Sequence, residues 1–200
     1  MWTIFGVSNL VFDIIDTIYS NRGEIKQIVI NLPLEDKFAE LREYDIIGVK
    51  DYENSIGANI FGFTDPNKEA FLNALPPNTR FLNLYHERAY LPLSSELDSG
   101  NYLAAGAVIA TKVVMKNHNF VNRNVSIGHH TQVGSFNHFG PGSIICGQCE
   151  IGSKNFFGAG SIVKDRIKIG DNITIGAGAV VTKDLFESGV YVGLPARLLQ

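Results

Sequence analysis

Every sixth residue between 91 and 181 is bulky and apolar: Leu91, Leu97, Leu103, Ile109, Met115, Val121, Ile127, Val133, Phe139, Ile145, Ile151, Phe157, Val163, Ile169, Ile175 and Val181. No residue is inserted or deleted along the row. Periods of 3.6 and 2 do not generate it, so neither an amphipathic helix nor a simple strand accounts for the pattern. The residue after each member is often Gly or Ala, and the fourth is usually small or β-branched, as at Ala107, Val113, Thr131, Ser143, Cys149 and Ala179. Such a hexapeptide repeat predicts a parallel β-helix, each hexad forming one flat face of a triangular prism. Residues eighteen apart then stack on one another, and Asn101, Asn119, Asn137 and Asn155 keep that spacing. Side-chain amides stacked on strands about 4.8 Å apart can bond in a continuous ladder.

Residues 1–80 follow another pattern. Strands are predicted over 2–7, 25–32, 45–49 and 58–63. Between them fall a helical stripe over 9–20 (Leu10, Ile14, Ile15, Ile18), a short helix over 35–41, and a helix over 66–75 after a turn at Thr64-Asp65. Alternating strands and helices predict a small parallel, Rossmann-like α/β domain. Pro76-Pro77-Asn78 marks its end, dividing the chain into 1–80 and 81–200, with residues 80–90 leading into the first coil. The row stops after Val181, and an extended segment over 189–197 closes the prism. Open parallel sheets hold ligands at the carboxyl ends of their strands. Gly6-Val7-Ser8-Asn9 stands there: Gly6 allows a tight turn, and the helix start beyond suits a phosphate. Capping of that helix by Ser8 or Asn9 explains the same residues equally well.

Composition narrows the classes. The chain has 200 residues, 45% of them apolar and 18% charged, which is ordinary for a globular protein. A net charge of −3 with no basic patch argues against a nucleic-acid partner. The first residues lack the basic start and long apolar core of a signal peptide, and no apolar run is long enough to span a bilayer, so a cytoplasmic location is expected. Cys146 and Cys149 lie inside the hexad register, with Cys149 at the small inward position, and read as packing residues.

All five histidines follow the predicted boundary, and His129, His130 and His138 fall within ten residues. Packing apolar hexads does not require histidine, so this cluster is the candidate for chemistry. By the stacking rule, His129 lies between Thr111 and Gly147, in a groove bordered by small side chains. His138 lies between Phe120 and Phe156. His129 is therefore the expected reactive group and His138 a helper, while His130 is expected to point away from His129 along an extended segment. A zinc site needs three protein ligands, which His129 and His138 do not supply unless His118 or His86 contributes, so no metal is expected.

The stretches Ser126-Ile127-Gly128-His129, Val133-Gly134-Ser135-Phe136-Asn137-His138, Pro141-Gly142 and Val192-Gly193-Leu194-Pro195-Ala196-Arg197 resemble bacterial left-handed β-helix sugar acyltransferases. The likeness is to nucleotide-activated amino-sugar N-acetyltransferases of bacillosamine-type pathways and to sialic acid O-acetyltransferases, and it covers nearly the whole chain. It implies a left-handed coil and a homotrimer with active sites between adjacent prisms. It implies His129 as general base and His138 near the acceptor sugar. Acetyl-CoA would lie along the prism near Gly147, Ala159, Ala177 and Pro195. The N-terminal domain would hold a UDP or similar nucleotide sugar through Gly6, Ser8 and Asn31. The chain departs from the family in two places: His130 stands where an acidic residue usually follows the base, and Gly6-Val7-Ser8-Asn9-Leu10 replaces a more glycine-rich loop.

The resemblance implies acetyl transfer from acetyl-CoA to the amine of a nucleotide-linked amino sugar, by direct attack with His129 as base and neither cysteine as relay. A backbone N–H of the groove would steady the oxyanion. The rival readings are sugar or sialic acid O-acetyl transfer, a carbonic-anhydrase-like zinc trimer and a non-catalytic sugar-binding scaffold.

Overall fold

The computed structural model describes residues 1–30, 32–53, 57–64 and 68–199. Its first part is a four-stranded parallel sheet in the order β3-β2-β1-β4, built from β1 (Trp2–Phe5), β2 (Ile25–Ile30), β3 (Ile46–Gly48) and β4 (Ala58–Phe61). Strands buried on both faces need continuous apolar runs, and Ile4, Phe5, Ile28, Val29, Ile60 and Phe61 are all buried. Helix α1 (Val11–Ser20) presents Val11, Ile14, Ile15 and Ile18 to one core. Phe71 and Leu75, in and just beyond α2 (Lys68–Asn73), join Phe5 and Phe61 in another. A short 3-10 stretch, Asp36–Glu43, occupies the place of the predicted short helix. The predicted turn at Asp65 and the start of the helix expected from residue 66 fall outside the described residues.

The rest of the described chain is a three-sided parallel β-helix. From Glu96–Leu97 to Val180–Val181 the strands are two or three residues long, and the last residue of each belongs to the predicted apolar row and faces inward; from Leu103 to Val181 every row member is buried. Burial of one such side chain contributes about 1.5–3 kcal/mol, so the repeated row dominates the stability of this part. Phe139 and Phe157 stack with centroids 4.8 Å apart. The coil starts earlier than expected: Leu84–Tyr85 already pairs with Tyr102–Leu103, which extends the inward row back to Tyr85. The amide ladder forms. Asn119 Nδ2 donates to Asn101 Oδ1 and Asn137 Nδ2 to Asn119 Oδ1, both at 3.0 Å, and Asn83 extends the ladder by accepting from Asn101.

Corners are made the same way every time. Every sixth residue from Gly100 to Gly178 has positive φ, including Lys112, His118, Asn124, His130, Phe136, Gln148, Lys154, Arg166 and Asn172. A left-handed conformation costs a non-glycine residue roughly 1–2 kcal/mol. Coil-to-coil backbone bonds offset it: His130 N–H donates to Thr111 O at 3.1 Å, and Gln148 N–H to His129 O at 2.8 Å.

The three faces differ in what they show outside. On the first, Leu84, Tyr102 and Phe120 are buried against α1, so the α/β unit is docked there. The Tyr102 hydroxyl donates to Asp13 O at 3.0 Å, and Arg123 pairs with Asp13 at 2.9 Å. This is the covered face; His138 and Phe156 continue its outer column. The second, apolar face exposes the column Val108, Ser126, Ile144, Ile162 and Val180. The third, charged face carries Glu96, Val114, Gln132, Glu150 and Lys168, with Lys168 and Glu150 paired at 2.9 Å.

Candidate active site

His129 and His130 occupy the corner between the apolar and charged faces, after Ser126–Ile127 and before Gln132–Val133. The register stacks Gly147 directly beside His129. A β-carbon on Gly147 would stand 2.9 Å from His129 Nε2 and 3.0 Å from Cε1. The imidazole edge therefore leans on a glycine face that admits no side chain, as the small-residue groove predicted.

His130 departs from expectation. Alternation along an extended segment would send it away from His129, but His130 adopts φ +58° at the corner. A left-handed residue breaks the alternation and turns its side chain back. His129 Nδ1 and His130 Nδ1 lie 3.0 Å apart, the two rings perpendicular at 90°. The two side chains form one unit on the exposed corner.

His138 lies on the covered face, edge-on between Phe120 and Phe156 at 5.3 and 4.9 Å, as the stacking rule requires. Burial, and then the charge of Lys68, pushes its pKa down to about 4. Its Nε2 is buried without a hydrogen-bond partner. It borders a cleft of ≈ 220 Å³ with Thr64, Phe136, Lys154, Asn155, Phe156, Asn172 and Thr174. Thr64 follows the carboxyl end of β4, so this cleft joins the edge of the parallel sheet to the prism. Phe136, Lys154 and Asn172 are eighteen apart, as are His138, Phe156 and Thr174. That spacing would have found two of the cleft's walls from sequence; nothing marks Thr64.

The whole width of the charged face separates His129 from His138, so a single chain does not bring the two together. The residues expected along acetyl-CoA divide in the same way. Gly147 shares the corner of His129. Ala159 and Ala177 share the opposite edge of the apolar face, where Pro195 follows at the same eighteen-residue interval. There the closing segment docks through Ala196 N–H to Val180 O at 2.8 Å.

At the end of β1, Gly6 has φ +73°, and a β-carbon would meet the ring of Phe63, so both the turn and the close approach demand glycine. The Ser8 hydroxyl donates to Gly62 O at 3.0 Å and accepts from Leu10 N–H at 3.2 Å, closing a local turn ahead of α1; Leu10, at the N-cap of that helix, supplies no side-chain cap. Asn31 lies outside the described residues; Ile30, Leu32, Pro33 and Ile46–Gly48 line a recess of ≈ 260 Å³.

The remaining histidines stand apart. His118, also left-handed, lies 5.2 Å from Phe136 and 4.9 Å from Phe81 by ring centroids. Burial and Lys68 push its pKa down to about 4. His86 Nδ1 accepts from Arg88 N–H at 3.1 Å. Neither is placed to join His129 in a metal site. Among the described residues no group of three His, Cys, Asp or Glu is close enough to hold a metal ion. Cys149 is buried, with Sγ 3.2 Å from Lys164 O, and both cysteines are free thiols.

A family model described as bacterial transferase hexapeptide (six repeats) matches residues 148–183. No curated protein matches the sequence. Among solved structures, a perosamine N-acetyltransferase variant from Caulobacter crescentus, in complex with CoA and GDP-perosamine, superposes with a TM-score of 0.90 at 21% identity, over 100% of this chain and 96% of its own. The acetyltransferase domain of PglB from Neisseria gonorrhoeae, in complex with acetyl coenzyme A, gives 0.85 at 20% identity over 99% and 98%. WeeI from Acinetobacter baumannii gives 0.83 at 16% identity over 100% and 99%. This chain shares their fold. The likeness includes the α/β unit as well as the prism, since it runs the full length of the chain. No helix among the described residues is long and apolar enough to cross a membrane.

Proposed function

We propose that this protein is an acetyl-CoA-dependent N-acetyltransferase acting on a nucleotide-linked amino sugar. The observation that carries the reading is His129 Nε2 set against Gly147 on a prism that, with its α/β unit, matches a CoA-bound N-acetyltransferase and an acetyl-CoA-bound acetyltransferase domain end to end. In the reaction the sugar amine attacks the thioester carbonyl, forming the C–N bond as the C–S bond breaks. His129 Nε2 takes the amine proton and passes it to the departing CoA thiolate. Imidazole suits this exchange near neutral pH, and a groove backbone N–H steadies the oxyanion. No covalent acetyl-enzyme is required.

Residues 1–80 hold the nucleotide, through Gly6, Ser8 and Asn31. Residues 81–200 carry acetyl transfer in a left-handed coil. Ala159, Ala177 and Pro195 line the CoA, and His138 meets the sugar in the cleft beside Thr64. The separation of His129 from His138, together with Val108 and Ile144 exposed at 41% and 40% on the apolar face, favours a homotrimer whose sites lie between copies. A cytoplasmic location fits substrates of this kind. The neighbour that holds GDP-perosamine makes the nucleotide an open variable.

The test is acetyl-CoA consumption, followed as free CoA thiol, against UDP- and GDP-linked amino sugars and sialic acid. Turnover with an amino sugar, abolished by His129→Ala in a protein that remains assembled, supports the reading. Turnover with sialic acid alone points to O-acetyl transfer, zinc-dependent turnover to a metalloenzyme, and silence with every acceptor to a scaffold.

A further inference from the structure

Two neutral imidazoles whose Nδ1 atoms approach to 3.0 Å can hold only one proton between them. One ring is then the Nδ1–H tautomer, with a bare Nε2; the other presents an Nδ1 lone pair and carries its proton on Nε2. The surroundings of the two Nε2 atoms differ. His130 stands at the exposed apex of the corner, where an Nε2–H is free to donate to water. His129 Nε2, Cε1 and Cδ2 all lie within 3.2 Å of the point where a β-carbon on Gly147 would stand. An Nε2–H there meets the glycine CH₂ on one side and is the less well solvated of the two.

We propose that His130 is a positioning residue: its Nδ1 accepts the Nδ1–H of His129 and so holds the His129 Nε2 lone pair toward the Gly147 groove. The inference rests on the reading of His129 as base and adds what orients it. The left-handed corner is the device that makes it possible, because only that turn brings adjacent side chains onto the same side. When His129 takes the amine proton at Nε2 it becomes a cation whose Nδ1–H now makes a charge-assisted bond to neutral His130. No carboxylate takes part, so the pair is neutral before proton transfer and carries one positive charge after it.

The test uses the full-length protein labelled with ¹⁵N-histidine, and variants at position 130. Gly is the backbone control, because it occupies a left-handed corner without strain while removing the ring. In the wild type His129 is expected as the Nδ1–H tautomer. In His130→Gly and His130→Phe it reverts mainly to Nε2–H, and kcat with acetyl-CoA and the amino sugar that the acceptor panel identifies falls about tenfold. The KM for acetyl-CoA stays unchanged. His130→Asp tolerates the corner and still accepts, so it recovers most of that loss. A wild-type His129 that is Nε2–H, or a His130→Gly protein with unmoved tautomer and full kcat, overturns the proposal. Full turnover in His129→Ala instead removes the base assignment, whatever the tautomer spectrum gives.

Discussion

The His129 imidazole rests on Gly147, with Nε2 2.9 Å from the place a β-carbon would occupy. Gly147 has an ordinary backbone conformation, so alanine is accepted by the chain and rejected only by the ring. His129 is exposed, so its ring can yield to the methyl by a small displacement that disturbs its contact with His130. Gly147→Ala is therefore expected to leave Tm within a few degrees of wild type while kcat falls by ten- to a hundredfold, since displacing a reacting group by about 1 Å costs that much. Thermal melts and steady-state kinetics on the same preparation check it. A large loss of Tm would place Gly147 in the framework instead.

His118 and His138 make the fold acid-sensitive. Their folded pKa values are depressed to about 4, first by burial and then by Lys68, from an ordinary value of 6.5. The unfolded chain binds protons more readily than the folded one between those limits. Stability is thus fully present above about pH 6.5 and is lost as pH falls toward 4, by up to about 3 kcal/mol for each histidine. Urea unfolding between pH 7 and 4.5 should show the decline. It should be about half as steep in His138→Phe, which keeps the aromatic column.

The amide ladder should be weakest against loss of a central member. Asn119→Ala removes the acceptor for Asn137 N–H and Nδ2 and the donor to Asn101 Oδ1. Unsatisfied buried groups cost about 1–3 kcal/mol each, and the expected destabilisation is about 3 kcal/mol. Asn83→Ala, at the end of the ladder, should cost less. Chemical denaturation of the two variants side by side decides this, and equal costs would contradict the ladder account.

The thiols should be dispensable for turnover. Burial pushes the Cys149 thiol up, whereas Cys146 is partly exposed. N-ethylmaleimide should label Cys146 in the native protein and spare Cys149. The Cys146→Ala, Cys149→Ala double variant should retain kcat, with no acetyl-enzyme visible by mass spectrometry. A trapped acetyl-cysteine would replace direct attack by a relay.

Much of this architecture is written in the sequence because a β-helix is built from local repetition. Each hexad contacts only its neighbours along and across the coil, so the inward row, the amide ladder and the His138 column with Phe120 and Phe156 all follow from intervals of six and eighteen. The contact between His129 and His130 was not legible, because alternation assumes an extended backbone and His130 sits at a left-handed corner. Asn83 was hidden for a plainer reason: it precedes the clear part of the row, although the same interval reaches it. Ser8 illustrates a third case. Its position between strand and helix suits a phosphate or a cap, yet its hydroxyl bridges Gly62 O and Leu10 N–H and α1 begins without a side-chain cap, a pairing that no interval predicts.

The sequence by itself determined where each residue lies in its coil. Tertiary structure decided what covers it. The period places His138 on a face and His129 at a corner. It took the docking of the α/β unit through Tyr102, Asp13 and Arg123 to bury one face and leave the apolar face open. Repetition fixes position through short-range bonds, whereas coverage depends on contacts between segments remote in the chain, and these leave no period to read.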